Sequence, residues 1–236
     1  MKSSNHKLQS FFVLWSTQSL SQLGSAMTGF ALTLWLYQRT GSALQTALLS
    51  VCSYAPYVLA SIFAGAFSDR WDKKKTMLAC DTLAALSTVA VLALLKLDLL
   101  APWHMYALNA FSGLMNTVQQ PASDVAMTLI TPPSWYQRTS GLRSFSNSLV
   151  TILNPVLATA VFAFSGMDGV ILLDLLSFAA AFLALLFGVR IPTTAGLNAV
   201  KRLPFWETVK SGVRYLRENR MILTLILFLA GVNFVA

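Results

Sequence analysis

Six apolar runs leave this chain few alternatives to an all-α membrane fold, because each is long enough to cross the roughly 30 Å hydrocarbon core of a bilayer, which takes about 20 helical residues. They cover Phe11 to Tyr37, Ala43 to Phe67, Thr76 to Leu95, Trp103 to Ile130, Gly141 to Phe164 and Val170 to Val189. In hydrocarbon every backbone N–H and C=O must be bonded within its own segment, so such runs are helices. A seventh run begins at Met221 and stops at Ala236, short of a comfortable span. The expectation is a chain that ends inside a helix, as a fragment or truncated product of something longer.

Charge sets the orientation. Of 17 Lys and Arg, all but Arg39 and Lys96 fall before the first run, in the loops after the second and sixth, or around the start of the fifth. The positive-inside rule puts that side, with the N-terminus, in the cytoplasm. The net charge of +8 is thus a matter of topology, since no basic face interleaved with aromatics suggests nucleic acid. With 56% hydrophobic and 11% charged residues and a mean hydropathy of +0.62, the expected surroundings are lipid. Cys52 and Cys80 fall in apolar runs and read as small buried hydrophobes, not as a disulfide or metal pair. MKSSNHKLQS carries no cleavable signal pattern, so the first run should persist as a span.

The expected organisation is a cytoplasmic N-terminus over 1–10, a six-span domain over 11–189, a cytoplasmic linker over 190–220 and the truncated seventh span over 221–236. In the linker, Pro192, Thr193, Thr194, Gly196 and Asn198 make a flexible composition. Phe205, Val209, Val213 and Leu216 then recur at helical spacing with Lys210, Arg214 and Arg217 on another face. That is the pattern of an amphipathic helix lying on an anionic leaflet, or of a plain juxtamembrane anchor.

Compared three by three, the spans repeat. The first and fourth are polar: Gln18, Gln22 and Ser25 share one face of the first, and Asn109, Ser112, Asn116 and Gln120 one face of the fourth. The second and fifth carry central prolines, Pro56 and Pro155. The third and sixth are almost wholly apolar with one acid near the start, Asp81 and Asp174. Such a three-plus-three repeat suits half of a secondary transporter, with the polar helices lining a watery path and the greasy ones facing lipid. Amides are costly in hydrocarbon unless paired or wet, which favours cavity lining for the Gln and Asn stripes. Scattered Ser and Thr fit interhelical glue.

Between the second and third runs GAFSDRWDKKK packs two acids and four bases into Asp69 to Lys75. Charge this dense demands water and reads as a short aqueous loop. It resembles the signature loop of the major facilitator superfamily: Gly65, Asp69, Arg70, Lys73 and Lys74 match, and Asp72 stands where a second glycine is usual, a position at which Asp can accept a left-handed backbone. SQLGSAM, RTGSAL and VKSGVRYLRENRMI are similar to strings of the drug-efflux branch that includes macrolide exporters and the enterobactin exporter. The resemblance covers essentially the whole chain. It implies the six-helix N-terminal half of such a transporter, in a bacterial inner membrane, with a C-terminal half as partner. It also implies a gate role for Asp69, pairing with neighbouring bases and with a helix N-terminus of the opposite half. Two positions depart from the branch: Asn109 stands where many proton-coupled exporters have arginine, and Asn154-Pro155-Val156-Leu157-Ala158 lacks the glycines of the antiporter motif.

The expected function is proton-driven efflux of bulky amphipathic compounds, such as macrolides, dyes or siderophores, with the proton gradient as energy source and no cofactor or metal. Ionisable groups inside spans are the coupling candidates. Asp124, three residues after Pro121 in the inner half of the fourth span, ranks first and Asp174 second. Asp81, six residues after Lys75, suits an interfacial salt bridge better than coupling. Trp15, Phe30, Trp35, Tyr54 and Tyr57 could meet a bulky ligand or simply lipid. The alternatives are a stand-alone six-span interaction or regulatory protein, and a facilitator importing a small solute. A membrane enzyme finds no support, since His6 and His104 fall on opposite sides of the bilayer and no nucleophile elbow, zinc spacing or phosphate loop is present.

Overall fold

The structure, a computed structural model, describes all residues except 1, 190, 193–206, 208–213, 216 and 236; for 2–7, 62–70, 227 and 233–235 it describes the backbone alone. Every described element is helical. Helix α1 spans Lys2–Thr40, α2 Ala43–Arg70, α3 Lys73–Lys96 and α4 Pro102–Ile130. After a 3-10 turn at Pro133–Trp135, one long helical stretch, Tyr136–Leu183, is broken at Gly166, whose φ of 65° and ψ of −165° no helix accommodates. It divides into α5 (136–165) and α6 (167–183), and α6 runs on through a π turn at Ala184–Gly188. A further apolar helix, α7, covers Arg220–Val235. The expected tail over 1–10 is helical from Lys2, and most of the expected linker, with Phe205, Val209, Lys210, Val213 and Leu216, lies outside the described residues.

Local chemistry places the breaks. Gly41, with φ 62°, ends α1 in the left-handed conformation that favours glycine, its N–H donating to the Tyr37 carbonyl at 2.8 Å. Pro102 opens α4, where a missing N–H costs nothing. The dense charge after α2 is less of a loop than its composition suggests, because only Trp71 and Asp72 lie between α2 and α3. Asp72 is not left-handed; with φ −63° and ψ 120° it caps α3, its carboxylate accepting the Lys75 N–H at 3.0 Å. Asp72 therefore sits at the start of α3, where cap and dipole both favour an acid, while Lys73, Lys74 and Lys75 fill the first turn of the same helix, where the dipole does not favour a cation. Asp72→Ala is expected to destabilise the fold by about 1 kcal/mol, seen as a lowered unfolding midpoint in detergent.

The packing repeats as the sequence does. Helix α4 lies against α2 and α3, and α1 lies along the α5–α6 stretch. Exchanging the first three helices for the last three turns one set of contacts into the other. Two apolar clusters hold the bundle. One gathers Phe11 and Leu14 of α1 with Met77, Ala126, Ile130, Leu185 and Val189. The other gathers Met27, Leu32 and Leu36 with Met105, Ala158, Val170 and Ile171.

Three stretches among the described residues are long and apolar enough to cross a membrane by composition: Ala43–Ser61, Lys73–Lys96 and Pro133–Gly188, the last containing both α5 and α6. Helices α1 and α4, at 39 and 29 residues, have the length, and their Gln, Asn and Ser stripes lower their hydropathy. The greasy helices α3 and α6 turn only one face outward, through Leu83, Leu86, Leu172 and Leu176; the other face is buried and carries the acids. Cys80 is buried but Cys52 only half-buried, and both are free thiols.

Candidate functional site

Between the two apolar clusters the bundle forms a partly open cavity of about 580 Å³ with many polar side chains on its wall. Its wall includes Gln18, Gln22 and Ser25 from α1 and Asn109, Ser112, Asn116 and Gln120 from α4, so both stripes open into one space. Helical spacing makes this possible, since each stripe follows one face for two to three turns. The close approach of the helices depends on glycine at two points. At Gly113 of α4 the backbone carbonyl of Ser53 in α2 occupies the place a Cβ would take, and at Gly24 of α1 the Ser177 hydroxyl of α6 does the same.

The acids of the greasy helices form the centre of the site. Asp81 is 6% exposed and accepts from Gln18 Nε2 of α1 at 3.3 Å and from Gln119 Nε2 of α4. Its partners are amides, and no salt bridge to Lys75 is formed among the described residues. The inward face of α3, two turns into the helix, takes the carboxylate away from the basic end. Asp174 is 3% exposed and accepts from Ser25 Oγ of α1 at 2.9 Å and from Thr88 Oγ1 of α3 at 3.4 Å. Both carboxylates line the cavity, and their partners Gln18 and Ser25 are seven positions, about 10 Å, apart along α1. Between them the hydroxyls of Ser87 and Ser112 meet at 2.9 Å.

Asp124 is placed differently. It pairs with Arg143 of α5, its side chain 44% exposed, and accepts from Gln120 Nε2 at 3.4 Å. Arg143 reaches the cavity wall, whereas Asp124 is not part of it. Asn109 does not replace an arginine's charge; its Oδ1 accepts from Ser53 Oγ at 3.2 Å and its Nδ2 donates to the Met105 carbonyl at 3.0 Å, which ties α4 to α2. Trp15, Tyr54 and Tyr57 border the cavity, Phe30 packs against the apolar core, and Trp35 stacks under the guanidinium of Arg39.

Of the signature-loop residues, Lys73 is buried, its ammonium donating to the Trp71 carbonyl at 3.1 Å. Lys74 donates to the carbonyls of Leu186 and Val189 at 3.0 and 2.8 Å, so the loop caps the far end of α6, where a cation meets the negative end of the dipole. The side chains of Gly65, Asp69 and Arg70 fall outside the described residues.

Sequence reasoning missed Gln119, Thr88 and Ser53 as partners and took Arg143 only for a topogenic base. Two of these carried a signal. Thr88 is seven residues from Asp81 and so on its face, and Gln119 continues the Ser112–Asn116 stripe as well as Gln120 does.

The comparisons with known proteins agree with this architecture. The chain is 26% identical over 227 residues to Macrolide efflux protein A of Streptococcus pyogenes, an alignment that takes in 96% of this chain and 55% of that protein. It is 23% identical to the uncharacterized MFS-type transporter YkuC of Bacillus subtilis, with 93% and 52% covered. A Macrolide efflux protein A of Enterococcus faecalis is 24% identical, with 79% and 57% covered. The chain thus spans about half the length of the curated relatives it matches. No solved structure matches it. The family model for the Major Facilitator Superfamily aligns with residues 14–236, nearly the whole chain, and the chain belongs to that superfamily.

Proposed function

We propose that the chain supplies the N-terminal half of a secondary active transporter that exports bulky amphipathic compounds at the expense of a proton gradient, in a bacterial inner membrane with its N-terminus in the cytoplasm. The observation that carries this reading is the polar cavity between apolar helices, with two carboxylates buried on its wall. A merely structural bundle has no use for such a cavity, since a buried acid costs about 2.5 to 3.5 kcal/mol on insertion scales. The relatives named as macrolide efflux proteins support export as the direction.

Within this reading the proton-carrying groups are Asp174 and Asp81. Each is held by neutral donors that still fit after protonation, and each joins helices of different repeats, so loss of charge alters the cost of moving them apart. Asp124, already neutralised by Arg143 and half in solvent, is a weaker candidate for coupling. The gate role of Asp69 and Arg70 rests on the family resemblance, and Lys74, anchored on α6, gives that gate a fixed footing. A C-terminal half and the lipid bilayer are the partners.

The test is efflux. Cells carrying the two-half transporter built on this chain are loaded with a panel of macrolides, dyes and siderophores, with and without a protonophore. The expected outcome is export of at least one bulky member that stops when the proton gradient collapses. Export indifferent to the protonophore removes the coupling, and uptake in place of export makes the protein a facilitator.

A further inference from the structure

The end of the bundle away from the N-terminus carries four charged side chains among the described residues, Arg39, Lys96, Asp98 and Asp168, and they gather in one corner. Lys96 at the end of α3 pairs with Asp168 at the start of α6 at 2.5 Å, and Arg39 at the end of α1 pairs with Asp98 at 3.4 Å. Between them lies a second, open pocket of about 470 Å³, where Lys96, Asp98 and Asp168 stand over the apolar side chains of Trp35, Leu95 and Phe162. Its wall is formed within this chain, by α1, α3, α5 and α6, and both α1 and α3 pack on the α5–α6 stretch. All four charged side chains are more than half exposed. Such pairs add little to stability, so their partners exchange at small cost. Asp98 also stands in a left-handed backbone, φ 56°, just past the end of α3, where glycine is the easier residue; a carboxylate held there is strain of the kind kept where a site needs it.

Two bases beside two acids suit neither a plain anion nor a plain cation but a ligand that bears both charges. Toward the middle of the bundle, exposed apolar side chains continue the faces that hold the pair. On α3 Val89 lies seven positions before Lys96 and Leu86 three before that, and on α6 Leu172 and Leu176 lie four and eight after Asp168. Charge at the end of two apolar rows is the pattern of a phospholipid site. We infer that this pocket binds the headgroup of a membrane phospholipid that carries a primary ammonium beside its phosphate. The phosphate meets Lys96 and Arg39, the ammonium donates to Asp98 and Asp168, and the acyl chains run along the apolar rows of α3 and α6. This rests on the chain spanning a bilayer and on nothing about the direction, substrate or energy source of export, so the two readings stand or fall separately.

The test gives the 236-residue chain in detergent equal amounts of phosphatidylethanolamine, phosphatidylcholine and phosphatidylglycerol with identical acyl chains, and counts bound lipid by native mass spectrometry. The expected result is retention of phosphatidylethanolamine about threefold or more above phosphatidylcholine, whose methylated nitrogen has no N–H to donate. Lys96→Gln/Asp168→Asn should lower retention of phosphatidylethanolamine by about threefold and leave the other two lipids unchanged. Arg138→Gln, whose guanidinium stacks on Trp135 at the opposite end of the bundle, should hold phosphatidylethanolamine as the parent does. Glycerophosphoethanolamine, which has the headgroup without the chains, should displace none of the bound lipid at equal concentration. No preference over phosphatidylcholine in the unaltered chain, a double variant that retains phosphatidylethanolamine as the parent does or loses all three lipids alike, or an equal loss in Arg138→Gln would each overturn the inference. Full displacement by glycerophosphoethanolamine would overturn the lipid in favour of the free headgroup. The comparison of headgroups needs no variant and decides the matter even where the double variant fails to fold.

Discussion

In cells carrying the two-half transporter, Asp174→Asn is expected to lower protonophore-sensitive efflux by about tenfold or more, with the protein still present in the membrane at near-normal level. The amide keeps the size of the carboxylate: its one oxygen can still accept from one of Ser25 Oγ on α1 and Thr88 Oγ1 on α3, and its NH2 can donate to the other hydroxyl. What it loses is the ability to bind and release a proton. Asp81→Asn is expected to act in the same direction through the tie to Gln18 and Gln119. Asp124→Asn provides the contrast. Its ion pair with Arg143 is partly exposed and screened, worth no more than about 1 kcal/mol, and its loss should reduce efflux far less. Efflux assays over a range of imposed pH gradients check this; equal losses in all three variants would return Asp124 to the centre of coupling.

The second large effect is expected at Gly113. A Cβ there runs into the backbone carbonyl of Ser53, and a backbone atom in mid-helix cannot rotate aside as a side chain can. Gly113→Ala should push α4 from α2, strain the Ser53–Asn109 bond and destabilise the bundle by about 1 to 3 kcal/mol, as overpacking in a dense interior does. Gly141→Ala, in helix α5 where a Cβ meets nothing within 4 Å, should instead be neutral or gain up to about 1 kcal/mol from helix propensity. Unfolding midpoints of the two variants in the same detergent separate the cases. A similar midpoint for both would mean that α2 and α4 can separate freely.

Much of the site was legible in the residues because helical periodicity is a one-dimensional rule. The stripes Gln18–Gln22–Ser25 and Asn109–Ser112–Asn116–Gln120 needed only spacing to be recognised as two faces, and the repeat that relates them was visible from the matching order of polar, proline-bearing and greasy spans. Gly166 was harder. It lies just past the Phe164 end of one run, and only its backbone shows that α5 and α6 are joined through a single left-handed residue.

By itself, then, the sequence determined the class of solvent, the helices, their pairing into two triplets and the polar faces, since hydropathy and a period of 3.6 are properties of one segment at a time. Partnership belonged to the tertiary structure. Asp81, close in sequence to Lys75, invited a salt bridge, yet the turn of α3 carries it inward to Gln18 and Gln119. Asp124, a candidate for the wet interior, meets Arg143 instead. Lys74 leaves its own loop to cap α6. Each outcome depends on which helix faces are brought opposite one another, and that is settled by the close approaches at Gly24 and Gly113 and by the two apolar clusters, all contacts between residues distant in the chain.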